Sequence, residues 1–331
     1  MPLIDLPVED LRRYRAPLTE PDGLEDFWSR TLEETRAHDL ALRAERVDVG
    51  LPLVEVLDVT FAGFGGHPIK AWLTRPAGAT EDLPVVVEYL GYGGGRGLPH
   101  EHTLWAAAGY AHLVMDTRGQ GSGWGSGGAT ADPVGAGNAT PGVMTRGIED
   151  PHDHYYRRLF TDGVRAVEAA RALDGVDASR VAVKGISQGG GIALAVAGLV
   201  PDLVAVMPDV PFLCHVRRAL DVTDAFPYQE LAVYLSVHRE RVETVLRTFD
   251  HFDGLHLARR ATAPALFSVA LRDRTCPPST VYAAHNHYGE LTAERTGTRP
   301  TAEMVEYPFN QHEGGQQHQL ARQLRWFADR I

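Results

Sequence analysis

Lysine and cysteine are scarce in this 331-residue chain. Lys70 and Lys184 are its two lysines, and every other basic residue is arginine. Against 32 Lys and Arg stand 43 Asp and Glu, leaving a formal net charge of −11. A field of that sign repels phosphate backbones and anionic headgroups, which argues against nucleic acid and membrane surfaces as partners. Two cysteines, Cys214 and Cys276, cannot staple a fold of this size and form no C-x-x-C pair. Long apolar runs are missing too: the longest weakly charged stretch, residues 185–208, is broken by Pro201-Asp202 and reads as a helix followed by a strand, not a membrane span. The first ten residues are acidic and lack both the basic and the apolar region of a signal peptide. A soluble, reduced, cytoplasmic protein is expected. What is present, 44% hydrophobic and 23% charged residues, is an ordinary globular composition that excludes disorder.

The length suits one large α/β domain over residues 1–331, with no internal repeat. Helical spacing of Leu24, Phe27, Trp28, Leu32 and Thr35 predicts an amphipathic lead-in helix within residues 22–40. Alternation predicts strands at 54–61 and 69–73, separated by the turn Gly63-Phe-Gly-Gly66. Beyond residue 84 the pattern changes. Short β-rich runs at 84–90, 111–116, 181–186, 203–207 and 265–270 alternate with helical segments near 101–108, 155–174, 188–199 and 278–288. Buried strands separated by helices imply a mostly parallel central sheet with helices on both faces. A strand at 304–308 and a helix over 315–330 close it. Two stretches break the alternation. Residues 117–150, rich in Gly, Ala and Thr, form a loop long enough to suggest a function, and residues 212–262 read as a helical insertion before the 265–270 strand.

The strongest chemical signal is Gly185-Ile-Ser-Gln-Gly189, a G-x-S-x-G set directly between a β-run and an apolar helix. That is the context of a nucleophile elbow, in which glycines relieve crowding at a sharp turn and the serine hydroxyl is lifted above the sheet. Ser187 is therefore the candidate nucleophile. A serine hydroxyl needs a base to take its proton and a third group to orient that base. In this fold class they follow in the order Ser, acid, His, each just past a strand. Asp273 and His312 stand in those places. Asp250 and Asp253 compete for the acid but fall in the insertion, and His318 competes for the base but would lie inside the last helix. The oxyanion requires two fixed donors. The amide of Gln188, next after the serine, supplies one, and the glycine-rich segment Gly91-Tyr-Gly-Gly-Gly-Arg-Gly97 points to the amide of Tyr92 for the other. That segment is not followed by Gly-Lys-Ser/Thr, so it does not read as a phosphate cradle. Fifteen histidines invite a metal site, but the close pairs His100/His102, His152/His154 and His285/His287 do not make H-E-x-x-H, and no metal or cofactor is expected.

Together these segments resemble the acetyl xylan esterase / cephalosporin C deacetylase family, carbohydrate esterase family seven of the α/β-hydrolase superfamily. The resemblance runs nearly end to end. It rests on Asp26-Phe-Trp28, Arg118-Gly-Gln-Gly121, Thr145-Arg-Gly-Ile148 with Tyr155-Tyr-Arg-Arg158, Gly185-Ile-Ser-Gln-Gly-Gly190, Pro211-Phe-Leu-Cys214, Cys276-Pro-Pro-Ser-Thr280 and His312-Glu-Gly314. It implies the same triad of Ser187, Asp273 and His312, the same oxyanion amides of Tyr92 and Gln188, and a bracing role for Arg118. By motif position it also implies Phe212 and Pro227 as acyl-pocket residues. The implied activity is deacetylation of small acetylated carbohydrates and cephalosporin-type acetyl esters, without cofactor or metal, by a homo-oligomer, a hexamer by resemblance. Two departures, Ala270-Leu-Arg272 before the acid and a long 290–301 segment, are expected to reshape the rim or packing of the site. The same triad also serves peptidases and broader carboxylesterases. A non-catalytic binding protein of this fold is the other class, and the intact, ordered triad argues against it.

Overall fold

The computed structural model describes residues 5–134 and 142–331. Among these residues nine strands form one sheet in the spatial order β1-β2-β3-β5-β4-β6-β7-β8-β9. β1 (Arg43–Arg46), β2 (Val54–Ala62) and β3 (Pro68–Pro76) run antiparallel, and β3 also pairs antiparallel with β5 (Ala111–Met115). The remaining pairings join β5, β4 (Leu83–Tyr89), β6 (Val176–Ile186), β7 (Ala205–Asp209), β8 (Ala265–Ala270) and β9 (Ala302–Tyr307), and all are parallel. This is the α/β-hydrolase fold. β1 escaped the sequence reading for a physical reason: its four residues, Arg-Ala-Glu-Arg, are all exposed, so no apolar alternation marks them. Charge along that edge also discourages further strand pairing.

Both faces of the sheet are buried because successive strand residues feed different cores. Val85, Val87, Val181 and Val183 join the main core with the helices α2 (Tyr155–Ala172) and α3 (Gln188–Leu199). Val86 and Ala182 point the other way, toward Trp105, Trp326 and Phe327. The lead-in helix α1 (Leu24–Arg36) buries Leu24, Phe27, Trp28, Thr31, Leu32 and Thr35, the face its spacing predicts, and stacks Trp28 on Phe160. At roughly 1.5–3 kcal/mol per fully buried Leu- or Phe-sized side chain, that stripe suffices to dock a helix whose other face is polar.

The segment predicted as a helical insertion contains α4 (Val216–Val222), α5 (Tyr228–Val237), α6 (Val242–Asp250) and α7 (Gly254–Ala258) between β7 and β8. Beyond β8 come α8 (Pro278–His287), α9 (Glu290–Thr296) and α10 (Gln316–Ala328). α9 was not anticipated. It turns the 290–301 segment away from the site: Thr292 bonds the Arg260 carbonyl and Arg295 pairs with Glu25 of α1.

Strand order positions the site. β4 lies between β5 and β6, so chain continuing from β4 leaves toward one side and chain from β6 toward the other. The crevice at such a reversal, beyond the carboxyl ends of the strands, is where open α/β sheets bind ligands. Tyr89 at the end of β4 is in register with Gly185 on β6, which brings the glycine-rich 91–97 segment beside the serine turn.

Candidate active site

Ser187 caps the N-terminus of α3 with φ 57° and ψ −118°, a backbone conformation that L-residues seldom adopt. Close approach on either side sustains it. A Cβ on Gly185 would lie 2.3 Å from the Gly189 carbonyl carbon, and one on Gly189 would lie 2.1 Å from the Tyr89 carbonyl oxygen. The Ser187 amide donates to the Asp209 carbonyl at 2.9 Å, tying the turn to β7.

His312 and Asp273 reach Ser187 from the loops after β9 and β8. His312 Nε2 lies 3.0 Å from Ser187 Oγ, and its Nδ1 lies 2.8 Å from Asp273 Oδ2. Asp273 is fully buried, and its other oxygen accepts the amides of Thr275 (2.8 Å) and Cys276 (2.9 Å). With both carboxylate oxygens taken by N–H donors, the imidazole is held with its proton on Nδ1 and its lone pair toward serine. Asp273, Cys276 and His312 have ligand-type atoms within 4.8 Å of one another, but a cation there would have to displace these hydrogen bonds.

The competing residues have other work. Asp253 accepts the amides of His215, Val216 and Leu255 and so caps two helices. Asp250 pairs with Arg217 at 2.8 Å and accepts from Thr19. His318 is exposed within α10. Of the histidine pairs, His154 is buried at the start of α2, accepting from the Tyr156 amide, and burial pushes its imidazole down to about 3. His285 and His287 bond the Ala302 carbonyl and Glu290 respectively.

Tyr92 lines the same cavity as Ser187, and Gln188 follows the serine at the start of α3. Among the described residues no acceptor takes the amide hydrogen of either. A polar network that sequence reasoning missed joins their two segments. Gln120 Oε1 accepts the Gly93 amide at 2.6 Å, while Gln120 Nε2 donates to Gln188 Oε1 at 3.0 Å and to Tyr155 Oη at 2.9 Å. The Arg-Gly-Gln-Gly motif was the signal available for it. Arg118 of that motif is fully buried and forms a bidentate pair with Asp162, with Asp132 at 3.5 Å. Asp132 in turn binds Arg158 at 2.9 Å, so the 117–134 stretch is braced onto α2.

A cavity of about 400 Å³ opens over the serine. Ser187 and His312 form its floor, and Gly91, Tyr92, Trp124, Ile186, Phe226, Pro227 and Thr275 form its mostly apolar walls. A cavity of about 320 Å³ beside Asp58 and Lys70 is lined by no serine, cysteine or histidine. Of the two acyl-pocket candidates, Pro227 lines the cavity. Phe212 does not: it is fully buried, 4.5 Å from the Tyr228 ring and 6.4 Å from the Tyr92 ring between centroids. It supports the wall from behind, because the chain after β7 packs against the first turn of α3 at Gly190 and Gly191 before the insertion begins. Arg272 stacks on the exposed ring of Phe309, with 5.3 Å from guanidinium carbon to ring centroid, outside the cavity lining.

A profile described as acetyl xylan esterase (AXE1) matches residues 1–330. The chain is similar to the solved structure of an acetyl xylan esterase from Paenibacillus sp. R4, with 35% identity, TM-score 0.89, and coverage of 98% of this chain and 100% of that one. It is similar also to acetyl xylan esterase 1 from Thermoanaerobacterium sp. JW/SL YS485, with 30% identity, TM-score 0.85, and coverage of 97% and 98%. Acetyl esterase Axe7A of Xylanibacter ruminicola is 26% identical over 278 residues, which are 80% of this chain but 60% of that longer relative. With the whole fold and nearly every residue matched, this chain belongs to the acetyl xylan esterase family of carboxylic ester hydrolases.

Proposed function

We propose that this protein is a serine esterase that removes acetyl groups from small acetylated carbohydrates, and from cephalosporin C-type acetyl esters, through an acyl-enzyme intermediate. The observation that carries this reading is the hydrogen-bonded chain from Asp273 through His312 to Ser187 at the floor of a small apolar cavity. In the proposed reaction His312 Nε2 takes the Ser187 proton as Oγ attacks the acetyl carbonyl carbon. The amides of Tyr92 and Gln188 hold the oxyanion. His312 then protonates the departing alcohol, and Asp273 stabilises the imidazolium meanwhile. Water, activated by the same histidine, cleaves the acetyl-serine bond and releases acetate. His312 activates the nucleophile, so this route draws on no metal or cofactor.

Tyr92, Phe226 and Pro227 make the cavity wall beside Ser187 apolar, and we read this site as favouring acetyl over longer acyl groups. We read residues 1–331 as one catalytic domain. Both cysteines are buried and unpaired, which suits the proposed cytoplasmic location, and no described helix is long and apolar enough to cross a membrane. Phe226, Val233 and Val237 are 62%, 56% and 67% exposed on the insertion, an apolar face that suits the proposed homo-oligomer, a hexamer by family resemblance. The test is Ser187→Ala on p-nitrophenyl acetate, cephalosporin C and acetylated xylo-oligosaccharides, with a loss of about 10⁴–10⁶-fold expected by analogy with other triads. Retention of more than about a tenth of wild-type kcat/KM would overturn the nucleophile assignment.

A further inference from the structure

Tyr92 is bonded through its hydroxyl and its carbonyl, and its own amide is the group left over. Its hydroxyl accepts the amides of Gly142 (3.0 Å) and Val143 (2.9 Å). Both lone pairs are then used, so the hydroxyl proton goes to Glu230 Oε1 at 2.6 Å. The second oxygen of Glu230 accepts the Met144 amide at 3.2 Å. The Tyr92 carbonyl accepts from Trp124 Nε1 at 2.7 Å, and its ring lies edge-on to buried Phe212. The insertion helix α5, which carries Glu230, thereby grips the loop whose amide is proposed to hold the oxyanion.

We infer that Glu230 is a positioning residue for catalysis, fixing the Tyr92 amide in place through the Tyr92 hydroxyl. This rests on the triad and oxyanion roles proposed above and adds a residue of the insertion to them. The geometry specifies a carboxylate. Glu230 has to accept on both oxygens, from a hydroxyl on one side and an amide on the other. A glutamine satisfies one of these donors and turns its own N–H toward the second. An alanine leaves the Tyr92 hydroxyl proton and the Met144 amide without their acceptor, so that the Gly142 and Val143 amides alone tether the hydroxyl. An oxyanion donor acts chiefly in the transition state, so displacing it slows the chemical step with little effect on substrate capture.

Steady-state hydrolysis of p-nitrophenyl acetate by the full chain tests the inference. Loss of a whole oxyanion donor costs about 10²–10³-fold, and a misplacement near 1 Å about 10²-fold, so Glu230→Ala is expected to lower kcat by roughly 10–10²-fold with KM changed by less than about threefold. Glu230→Gln, of the same size as Glu, is expected to fall between Ala and wild type, a remaining deficit that packing alone would not produce. Tyr92→Phe removes the Tyr92–Glu230 bond from the other side, together with those from the Gly142 and Val143 amides, and keeps the test open if Glu230→Ala folds poorly. The pair Tyr92→Phe/Glu230→Ala is expected to lose less than the product of the two single losses, because the Tyr92–Glu230 bond is deleted in both. Unchanged kcat in Glu230→Ala, a loss confined to KM, or full additivity in the double variant overturns the inference. Ser187→Ala run alongside separates the two levels: an active Ser187→Ala overturns the underlying reading and this inference with it, whereas an inactive Ser187→Ala beside an unimpaired Glu230→Ala overturns this inference alone.

Discussion

Gly189→Ala probes how tightly the serine turn is pressed into the sheet. The added Cβ would sit 2.1 Å from the Tyr89 carbonyl oxygen, 2.6 Å from its carbonyl carbon and 3.1 Å from the Leu90 amide nitrogen, where ordinary contact begins at 3.4 Å. Every one of these atoms is backbone, so no side chain can rotate aside. α3 has to retreat from β4 by about 1.3 Å, or the end of β4 has to bend, and both are buried. Overpacking of a core costs about 1–3 kcal/mol when side chains can adjust, so we expect about 3 kcal/mol or more here. The same retreat carries the Gln188 amide and Ser187 Oγ out of line with His312, and about 10²-fold in kcat goes with a shift of that size. Urea unfolding followed by circular dichroism measures the first effect, and turnover of p-nitrophenyl acetate by the remaining folded protein measures the second. A variant as stable as wild type, with kcat within twofold, would show that the turn does not make this close approach.

Two further substitutions test the site and its surroundings. Asp273→Asn should reduce kcat by about 10⁴-fold through loss of the oriented tautomer, with Asp250→Asn far milder; the reverse ranking in acetate-release assays would mean that the acid has been misassigned. Asp209, half-buried beneath the serine turn and bonded by Gln323, has its carboxyl pushed from the usual 3.8 up to about 6 by loss of hydration, partly offset by Lys184. The folded state therefore keeps this proton while the unfolded chain releases it, so the group's contribution to stability falls as pH rises from about 4 to about 6 and stays low above that. That gap corresponds to about 3 kcal/mol, and Asp209→Asn should gain on wild type by an amount of that order between pH 4 and pH 7. Parallel pH–stability curves for the two proteins in urea titrations would refute it.

What the sequence determined by itself is the chemistry that is local. A serine turn needs small residues within five positions, a β-run before it and an apolar helix after it, and all of these lie between 181 and 199. Buried parallel strands are continuous apolar runs, so β4, β6 and β8 were legible, and the lead-in helix was legible from its spacing. Strand ends then pointed to Asp273 and His312. Tertiary structure decided the rest, because strand order and register place residues far apart in the chain against each other. It set Asp273, rather than Asp250 or Asp253, 2.8 Å from His312, and it put Phe212 behind the cavity wall instead of in it. It also joined Gln120 to Gln188 across 68 residues and Tyr92 to Glu230 across 138. No local periodicity records such bonds. A half-buried hydroxyl and a half-buried carboxylate find each other only after the sheet has closed and the insertion has folded down upon it.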